Sequence, residues 1–297
     1  MARQMGFLYL GMVVLAITAV ALIAKLASRR GVSAFGLSAS LFAAGAVLGA
    51  ILLCRHCPVK LTSHALLFST VAGVGGAGAV LAFNVAVRQG HFGFSNAIYR
   101  CSFLIPIVYA VLFLDAALNN TTAFGIALIL AGIFFMSWST DSFSRGKKAE
   151  FKWFVLILIA FLLSGAPRVG QTLTSAYRED FYLYLFLSYA AGAAVFALEM
   201  GRQSISRHSQ PVADRFLTSG AWTWGSAAAV ASYVGVFCTL KSLQTLKPQV
   251  VFPISLSGPI IVGIFLSLAL FREKIRFSGW LGVILGIAGI TVLSIWK

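Results

Sequence analysis

The sequence is built from ten apolar runs, each long enough to cross a bilayer, with short polar segments between them. The runs occupy roughly residues 6–27, 34–54, 64–87, 93–114, 122–138, 153–174, 181–199, 216–240, 249–271 and 277–296. A helix crosses the hydrocarbon of a membrane with about 20 residues. Lipid offers the backbone no hydrogen bonds, so a spanning segment is a helix or part of a closed barrel, whose strands are shorter and alternate in polarity. The pattern therefore predicts an all-α integral membrane protein with ten transmembrane helices.

Few charged residues are present to cover a surface in contact with water. Charged residues make up 10% of the 297 residues and hydrophobic residues 59%, whereas a soluble domain has about 25% charged residues. The formal net charge is +15, but the cations are spread over many short loops, as membrane topology and anionic lipid require. The lipid bilayer is therefore the expected partner, and nucleic acid is excluded.

The longest polar segment, residues 140–152, lies at the middle of the chain with five predicted spans on each side. In the first half "AVLFLDAAL" is followed by "GIALILAGI", and in the second half "LSLALFREKI" is followed by "GVILGIAGI". Each copy has an acid and then a pair of glycines: Asp115 with Gly125 and Gly132, and Glu273 with Gly282 and Gly289. Because five is an odd number, the second copy enters the membrane inverted. The prediction is a five-plus-five inverted-topology repeat, an architecture common in transporters.

These signatures resemble the drug/metabolite transporter superfamily, specifically the EamA-type ten-helix carriers. The segment "SGPIIVGIF", residues 257–265, resembles the Ser-Pro element of the family's ninth span. The resemblance covers essentially the whole chain. It implies a first five-helix EamA-like repeat over residues 1–139, a central linker loop over 140–152 and a second repeat over 153–297.

The sequence departs from the family pattern at two places where the family forms its substrate cavity. The first span lacks the usual tryptophan, and the fourth span has "RCSF" followed by Pro106 in place of a proline at the position of Pro259. The resemblance implies a multi-pass protein of the bacterial inner membrane with both termini in the cytoplasm. Loop cations favour the opposite orientation, since cations prefer the cytoplasmic side and six lie on the side of the termini against thirteen on the other.

The stretch "SNAIYRCSFLIP", residues 95–106, places a charged side chain within an apolar span. A central arginine costs about 2.5–3.5 kcal/mol even on insertion-based scales, and arginine stays ionised. Arg100 lies about a third of the way into the fourth span, so it reaches the interface, faces a cavity or forms a structural ion pair. Lys25 and Lys241 lie near span ends, where a lysine can extend its amine to the interface.

The sixth span has a second cation beside residues that weaken a helix. Arg168 follows Pro167, which removes a backbone donor and frees a carbonyl, and it lies between Gly165 and Gly170. Broken helices in carriers expose backbone polarity to the substrate. We expect polar side chains at bilayer depth to bind the solute. The candidates are Arg100, Arg168, Asn84, Asn96, Tyr99, Gln171, Tyr233 and Ser257.

The eight acidic residues all fall in loops or at the ends of predicted spans. A cavity with cations and no acid suits an anionic or zwitterionic solute, such as an amino acid or an organic acid. We therefore predict a secondary transporter of a small polar metabolite that works by alternating access. Two alternatives stay open, namely an antiporter of phosphorylated solutes or nucleotide sugars and a carrier of lipid-linked phosphate.

Catalytic and metal-binding patterns are weak. Enzymes need converging acid, base or metal groups, and the four histidines lie in loops or at span ends. Cys54 and Cys57 have metal or redox spacing, but no second pair of cysteines or histidines follows at the distance of a zinc site. We predict no enzymatic activity, no metal and no cofactor. The expected partners are a small-molecule substrate and the bilayer, and a homodimer is allowed.

Overall fold

The chain is a bundle of helices wherever the computed structural model describes it, which is over residues 2–56, 61–89, 92–114, 118–138, 147–206, 218–271 and 277–295. The helices are α1 (Ala2–Arg29), α2 (Ala34–Arg55), α3 (Ser63–Gln89), α4 (Phe92–Arg100), α5 (Leu104–Phe113), α6 (Asn120–Trp138), α7 (Lys147–Ala176), α8 (Phe181–Ser206), α9 (Ser219–Leu243), α10 (Pro248–Phe271) and α11 (Phe277–Ile295). Within these ranges there is no strand.

Most of these helices have the length and apolar composition that a membrane crossing needs. Within the described part of the chain eight helical segments satisfy both criteria, and two further segments, Asn120–Phe135 in α6 and Pro248–Gly263 in α10, are apolar but shorter. Because α4 and α5 together form one span, the helices follow the predicted order of ten spans. The predicted all-α membrane fold is confirmed.

The fourth span tightens into a short 3-10 turn within the single helix that the sequence predicts over residues 93–114. α4 ends at Arg100, and a 3-10 turn, Cys101–Phe103, precedes α5. Pro106 has no N–H to donate to the carbonyl of Ser102. The hydroxyl of Ser102 donates at 2.6 Å to the carbonyl three residues earlier, and such bonds compete with the helical ladder. Because of this 3-10 turn, Arg100 is the last residue of α4.

Helices of the first half pack mainly against helices of the second. α3 of the first half packs against α7 of the second, and α9, the counterpart of α3, packs against α1, the counterpart of α7. The pairs α2–α8 and α6–α11 each join a helix to its own counterpart. In the α6–α11 pair a Cβ on Gly132 would lie 2.8 Å from the carbonyl oxygen of Gly282. A Cβ on Gly289 would lie 2.8 Å from the carbonyl oxygen of Gly125. Small residues allow backbones to approach closely, so the glycines shared by the two halves hold them together.

The sixth span starts inside the predicted linker. α7 begins at Lys147, within the loop predicted over residues 140–152. The residues directly before it, and the two acids of the repeat signature, Asp115 and Glu273, lie outside the described residues. The division of the chain into two repeats and a linker stays a prediction.

Candidate solute-binding site

A cavity of about 200 Å³ lies where the two halves meet. α2, α3 and α4 from the first half and α7, α8 and α9 from the second form its wall. Its lining includes Phe42, Tyr99, Gln171, Tyr184, Ser188 and Ser232. Aromatic faces, hydroxyls and an amide therefore converge from six helices, and an apolar lining with a few convergent polar groups is typical of a small-molecule site.

Glycines bring α3 close to α7 on one side of this central cavity. Gly73 and Gly76 line the cavity, and a Cβ on Gly75 would lie 2.6 Å from the Cβ of Ala166 on α7. Pro167, which also lines the cavity, leaves one carbonyl of the preceding turn without its helical donor. The wall here is thus made largely of backbone, which a larger residue on α3 would displace.

Tyrosines with fixed hydroxyls form the opposite wall. The hydroxyl of Tyr184 donates to the carbonyl of Pro167 at 3.0 Å, and the hydroxyl oxygens of Tyr189 and Ser232 lie 2.7 Å apart. The rings of Tyr189 and Tyr233 stack with their centroids 5.9 Å apart. Tyr233 is 4% exposed, and its hydroxyl has no hydrogen-bond partner among the described residues. Tyr233 therefore supports the cavity wall from behind.

Arg100 connects the two halves beside the central cavity. Its Nε donates to Oδ1 of Asn96 at 3.1 Å, and its Nη1 donates to the carbonyl of Leu256 on α10 at 3.0 Å. The neighbouring carbonyl of Ser255 has lost its helical donor, because the residue four positions later is Pro259. Arginine has further N–H groups in a planar fork, so Arg100 keeps donors for a solute while it holds the backbone of α10.

Arg168 is the second cation of the site. It follows Pro167 on α7, and its Nη1 donates to the carbonyl of Ser164 one turn earlier. Tyr99 and Pro167, which directly precede Arg100 and Arg168 in the chain, both line the cavity, so the two arginines belong to the segments beside it. Neither arginine has a carboxylate partner in the described part of the chain.

The structure brings five of the eight predicted site residues together and separates three. Those at or beside the central cavity are Arg100, Arg168, Asn96, Tyr99 and Gln171. Asn84 lines a different pocket, and Tyr233 lies behind Tyr189. Ser257 is 3% exposed, and its hydroxyl donates to the carbonyl of Pro253 at 2.6 Å, so it completes the backbone bonding of α10.

Sequence reasoning missed the cavity residues of α8. Tyr184 and Ser188 both line the cavity. They are four residues apart and therefore share one helix face, which is the signal that the stretch "FYLYLFLSYAAG" offered. Phe42 has no polar atom and gave no signal. The described residues contain no group of three or more histidines, cysteines or acids that could hold a metal ion, and Cys57 lies outside them.

Comparison with known proteins gives a match to a family of membrane transporters. Residues 151–295 match the model of the EamA-like transporter family, so the second half of the chain is similar to this family. Its members are membrane transporters of the drug/metabolite superfamily. The resemblance predicted from the repeat signatures is confirmed, and the chain is a multi-pass integral membrane protein.

Two further comparisons extend over more of the chain. An uncharacterised protein of Haemophilus influenzae is 23% identical over 210 residues, which are 67% of this chain and 65% of that protein. The match thus spans about two thirds of the relative's length. A crystal structure of a protein superposes on 98% of this chain and 97% of its own with a TM-score of 0.74 and 16% identity. That likeness extends the shared fold to both halves.

Proposed function

We propose that this protein is a secondary transporter that moves a small anionic or zwitterionic metabolite, such as an amino acid or an organic acid, by alternating access of its two halves. The match to the EamA-like transporter family supports transport as its activity. The bacterial relative and the apolar helices support a bacterial inner membrane as its location. The observation that carries the choice of solute is a pair of arginines beside a cavity at the junction of the halves, neither of which has a carboxylate partner among the described residues.

The cost of placing charge in a bilayer is the first reason. A buried arginine stays ionised, and even insertion scales assign it about 2.5–3.5 kcal/mol at the centre of a span. Among the described residues neither Arg100 nor Arg168 has a carboxylate partner. An anionic solute would supply one, and charge-assisted bonds between a guanidinium and a carboxylate are the strong kind. The carboxylate of the solute therefore belongs beside Tyr99.

The size of the cavity is the second reason. Its volume of about 200 Å³ is below the roughly 300–1,000 Å³ of pockets that take drug-sized ligands. An amino acid or a small organic acid fits such a space better than a nucleotide sugar does. A phosphorylated solute would use the same two arginines, so a sugar phosphate is the informative competitor.

The bond from Arg100 to Leu256 supports a link between binding and movement. This bond joins α4 of the first half to α10 of the second. A carboxylate that accepts from Arg100 competes with the Leu256 carbonyl and weakens the connection. Binding of the solute would thereby favour the rearrangement of α4 relative to α10 that alternating access needs.

Thermal unfolding of the detergent-solubilised protein with a panel of solutes tests the proposal. The panel contains amino acids, dicarboxylates, sugar phosphates, nucleotide sugars and quaternary amines. A solute at 100 times its Kd stabilises the folded state by about 2.7 kcal/mol. We expect an amino acid or carboxylate to raise the Tm of the wild type clearly and that of Arg100→Ala much less. Stabilisation by amines alone would contradict the proposal.

Lys241→Ala is the matched control for that panel. Lys241 is also a cation near the end of a span, but its Nζ lies over the rings of Phe181 and Phe237, 5.4 and 5.6 Å from their centroids. The substitution removes one positive charge without touching Arg100. We expect it to keep the response of the wild type to each solute.

A further inference from the structure

A second pocket lies toward the end of the bundle opposite the two termini. It has a volume of about 300 Å³ and lies between the start of α2, the end of α3 and the end of α8. Its lining includes Phe35, Leu81, Asn84, Glu199, Arg202 and Gln203. The solute site described above does not use it, although it is larger than the central cavity and has more charge.

The second pocket continues the groove that holds the central cavity. On α3, Val80 lines the central cavity and Leu81 lines the second pocket. On α2, Phe42 lines the first and Phe35, two turns earlier, lines the second. α8 contributes to both as well. The two spaces therefore follow one another along a single groove between α2, α3 and α8.

Three phenylalanines in ring contact separate the two spaces. Phe196 on α8 is 1% exposed. Its ring meets that of Phe35 edge-on with the centroids 5.4 Å apart, and it lies tilted against that of Phe42 with the centroids 5.5 Å apart. Because Phe42 lines the central cavity and Phe35 the second pocket, Phe196 lies between the two spaces, and the three rings form an apolar obstacle to a polar solute.

Polar groups in the second pocket are arranged to receive a charged solute. Nδ2 of Asn84 is buried and has no hydrogen-bond partner among the described residues, and buried donors in native structures generally have one. Glu199 is held by Arg202, with bonds of 2.8 Å to Nε and 2.7 Å to Nη2, and by Nε2 of Gln203 at 2.8 Å. Glu199 and Arg202 are bonded to each other, so Nδ2 of Asn84 is the donor that this pocket offers to a solute.

We propose that this pocket is a second solute site, a vestibule on the path to the central cavity, and that Phe35, Phe196 and Phe42 form the barrier between the two. The vestibule takes the same carboxylate-bearing anion or zwitterion as the central site, with its carboxylate accepting from Nδ2 of Asn84. The identity of that solute rests on the proposed function. The path and its barrier do not.

Thiol accessibility in sealed membrane vesicles tests the path. All four native cysteines are first replaced by serine or alanine, and a membrane-impermeant quaternary-ammonium methanethiosulfonate is added at one face at a time. Asn84→Cys reports on the vestibule and Ser188→Cys on the central cavity. We expect Asn84→Cys to react from the face opposite the termini, and Ser188→Cys to react at least tenfold more slowly from that face.

Phe196→Leu tests the barrier. The smaller leucine side chain leaves space between the rings of Phe35 and Phe42. We therefore expect Ser188→Cys to react at least tenfold faster from the face opposite the termini, while the rate for Asn84→Cys stays unchanged. Phe252→Leu is the control, because Phe252 is as fully buried, at 1% exposure, but packs in another core. It should change neither rate.

Two results would overturn the proposal. The first is that the thiol of Asn84→Cys reacts from neither face. The second is that Phe196→Leu does not raise the reaction rate of Ser188→Cys, or that the control Phe252→Leu raises this rate by the same factor. The experiment uses no substrate, so its failure is distinguishable from failure of the proposed function. If no anion in the solute panel stabilises the protein, the assignment of the solute fails, whereas the proposed barrier is unaffected.

Discussion

The fourth and ninth spans occupy equivalent positions in the predicted repeat, yet their prolines have different effects. The fourth span tightens into a 3-10 turn directly after Arg100, whereas α10 stays helical through Pro253 and Pro259. The acids of the two signatures differ by 158 positions (273 − 115) and the first glycines by 157 (282 − 125), so Arg100 corresponds to the Ser257–Gly258 pair. One half has a cation at this position and the other has uncharged residues.

The difference places a charged donor on one side of the junction only. Ser257 bonds back to its own helix and leaves α10 neutral. Arg100 instead reaches across and donates to the carbonyl of Leu256, beside the carbonyl of Ser255 that Pro259 frees. In the predicted repeat, this asymmetry would give the first half the donor that the proposed function assigns to an anion.

Arg100→Ala breaks this asymmetry most strongly. Bonds to charged groups are worth about 1.5–3 kcal/mol, so we expect the Kd of the stabilising solute to rise about 10- to 150-fold. Isothermal titration of the detergent-solubilised protein measures it. Arg100→Lys keeps the charge but lacks the planar fork of donors, so its Kd should lie between those of the wild type and Arg100→Ala. If Arg100→Ala binds the solute with the same Kd as the wild type, Arg100 does not contact the solute.

Gly132→Ala tests the packing of α6 against α11, which positions the fourth and ninth spans. α6 packs against α4, and α11 against α10, so the glycine contact between α6 and α11 fixes the two spans relative to each other. Overpacking costs about 1–3 kcal/mol, and we expect a lower Tm in thermal unfolding. Gly289→Ala should cost a similar amount. Gly11→Ala, where a Cβ meets nothing within 4 Å, is the control and should not lower the Tm.

Pro259→Ala makes the ninth span a more regular helix. The new N–H can bond to the carbonyl of Ser255 and draw the neighbouring Leu256 carbonyl back toward the helix axis. Proline in a helix interior costs about 3 kcal/mol, so the Tm should hold or rise. Because the Leu256 carbonyl competes with the solute for Arg100, and a hydrogen bond is worth about 1 kcal/mol, the solute Kd should fall about fivefold. An unchanged Kd together with a lower Tm would assign Pro259 to packing alone.

Asn96→Ala should have the smallest effect. Oδ1 of Asn96 accepts from Nε of Arg100 and orients the guanidinium without supplying charge. Its loss is worth about 0.5–1.5 kcal/mol, and we expect a rise in Kd of about 2- to 13-fold in the same titration. A larger effect than that of Arg100→Ala would mean that Asn96 itself contacts the solute.

The fold was predictable because it depends on the length and composition of each apolar run. Arg100 and Arg168 stood out for the same reason, since a charge at bilayer depth is costly wherever it points. The direction of uncharged side chains depends on how helices pack, which a single sequence does not encode locally. Asn84 was therefore grouped with the arginines although it lines another pocket, and Tyr184 was not recognised as part of the wall.

Uptake of radiolabelled amino acids and dicarboxylates into proteoliposomes tests the central claim most directly, namely that Arg100 binds the anionic group of a transported solute. Wild type, Arg100→Ala and Lys241→Ala are compared at equal amounts of reconstituted protein. We predict that wild type and Lys241→Ala accumulate the same solute and that Arg100→Ala does not. Equal uptake by Arg100→Ala and the wild type would contradict the claim and make Arg100 a structural tie between α4 and α10.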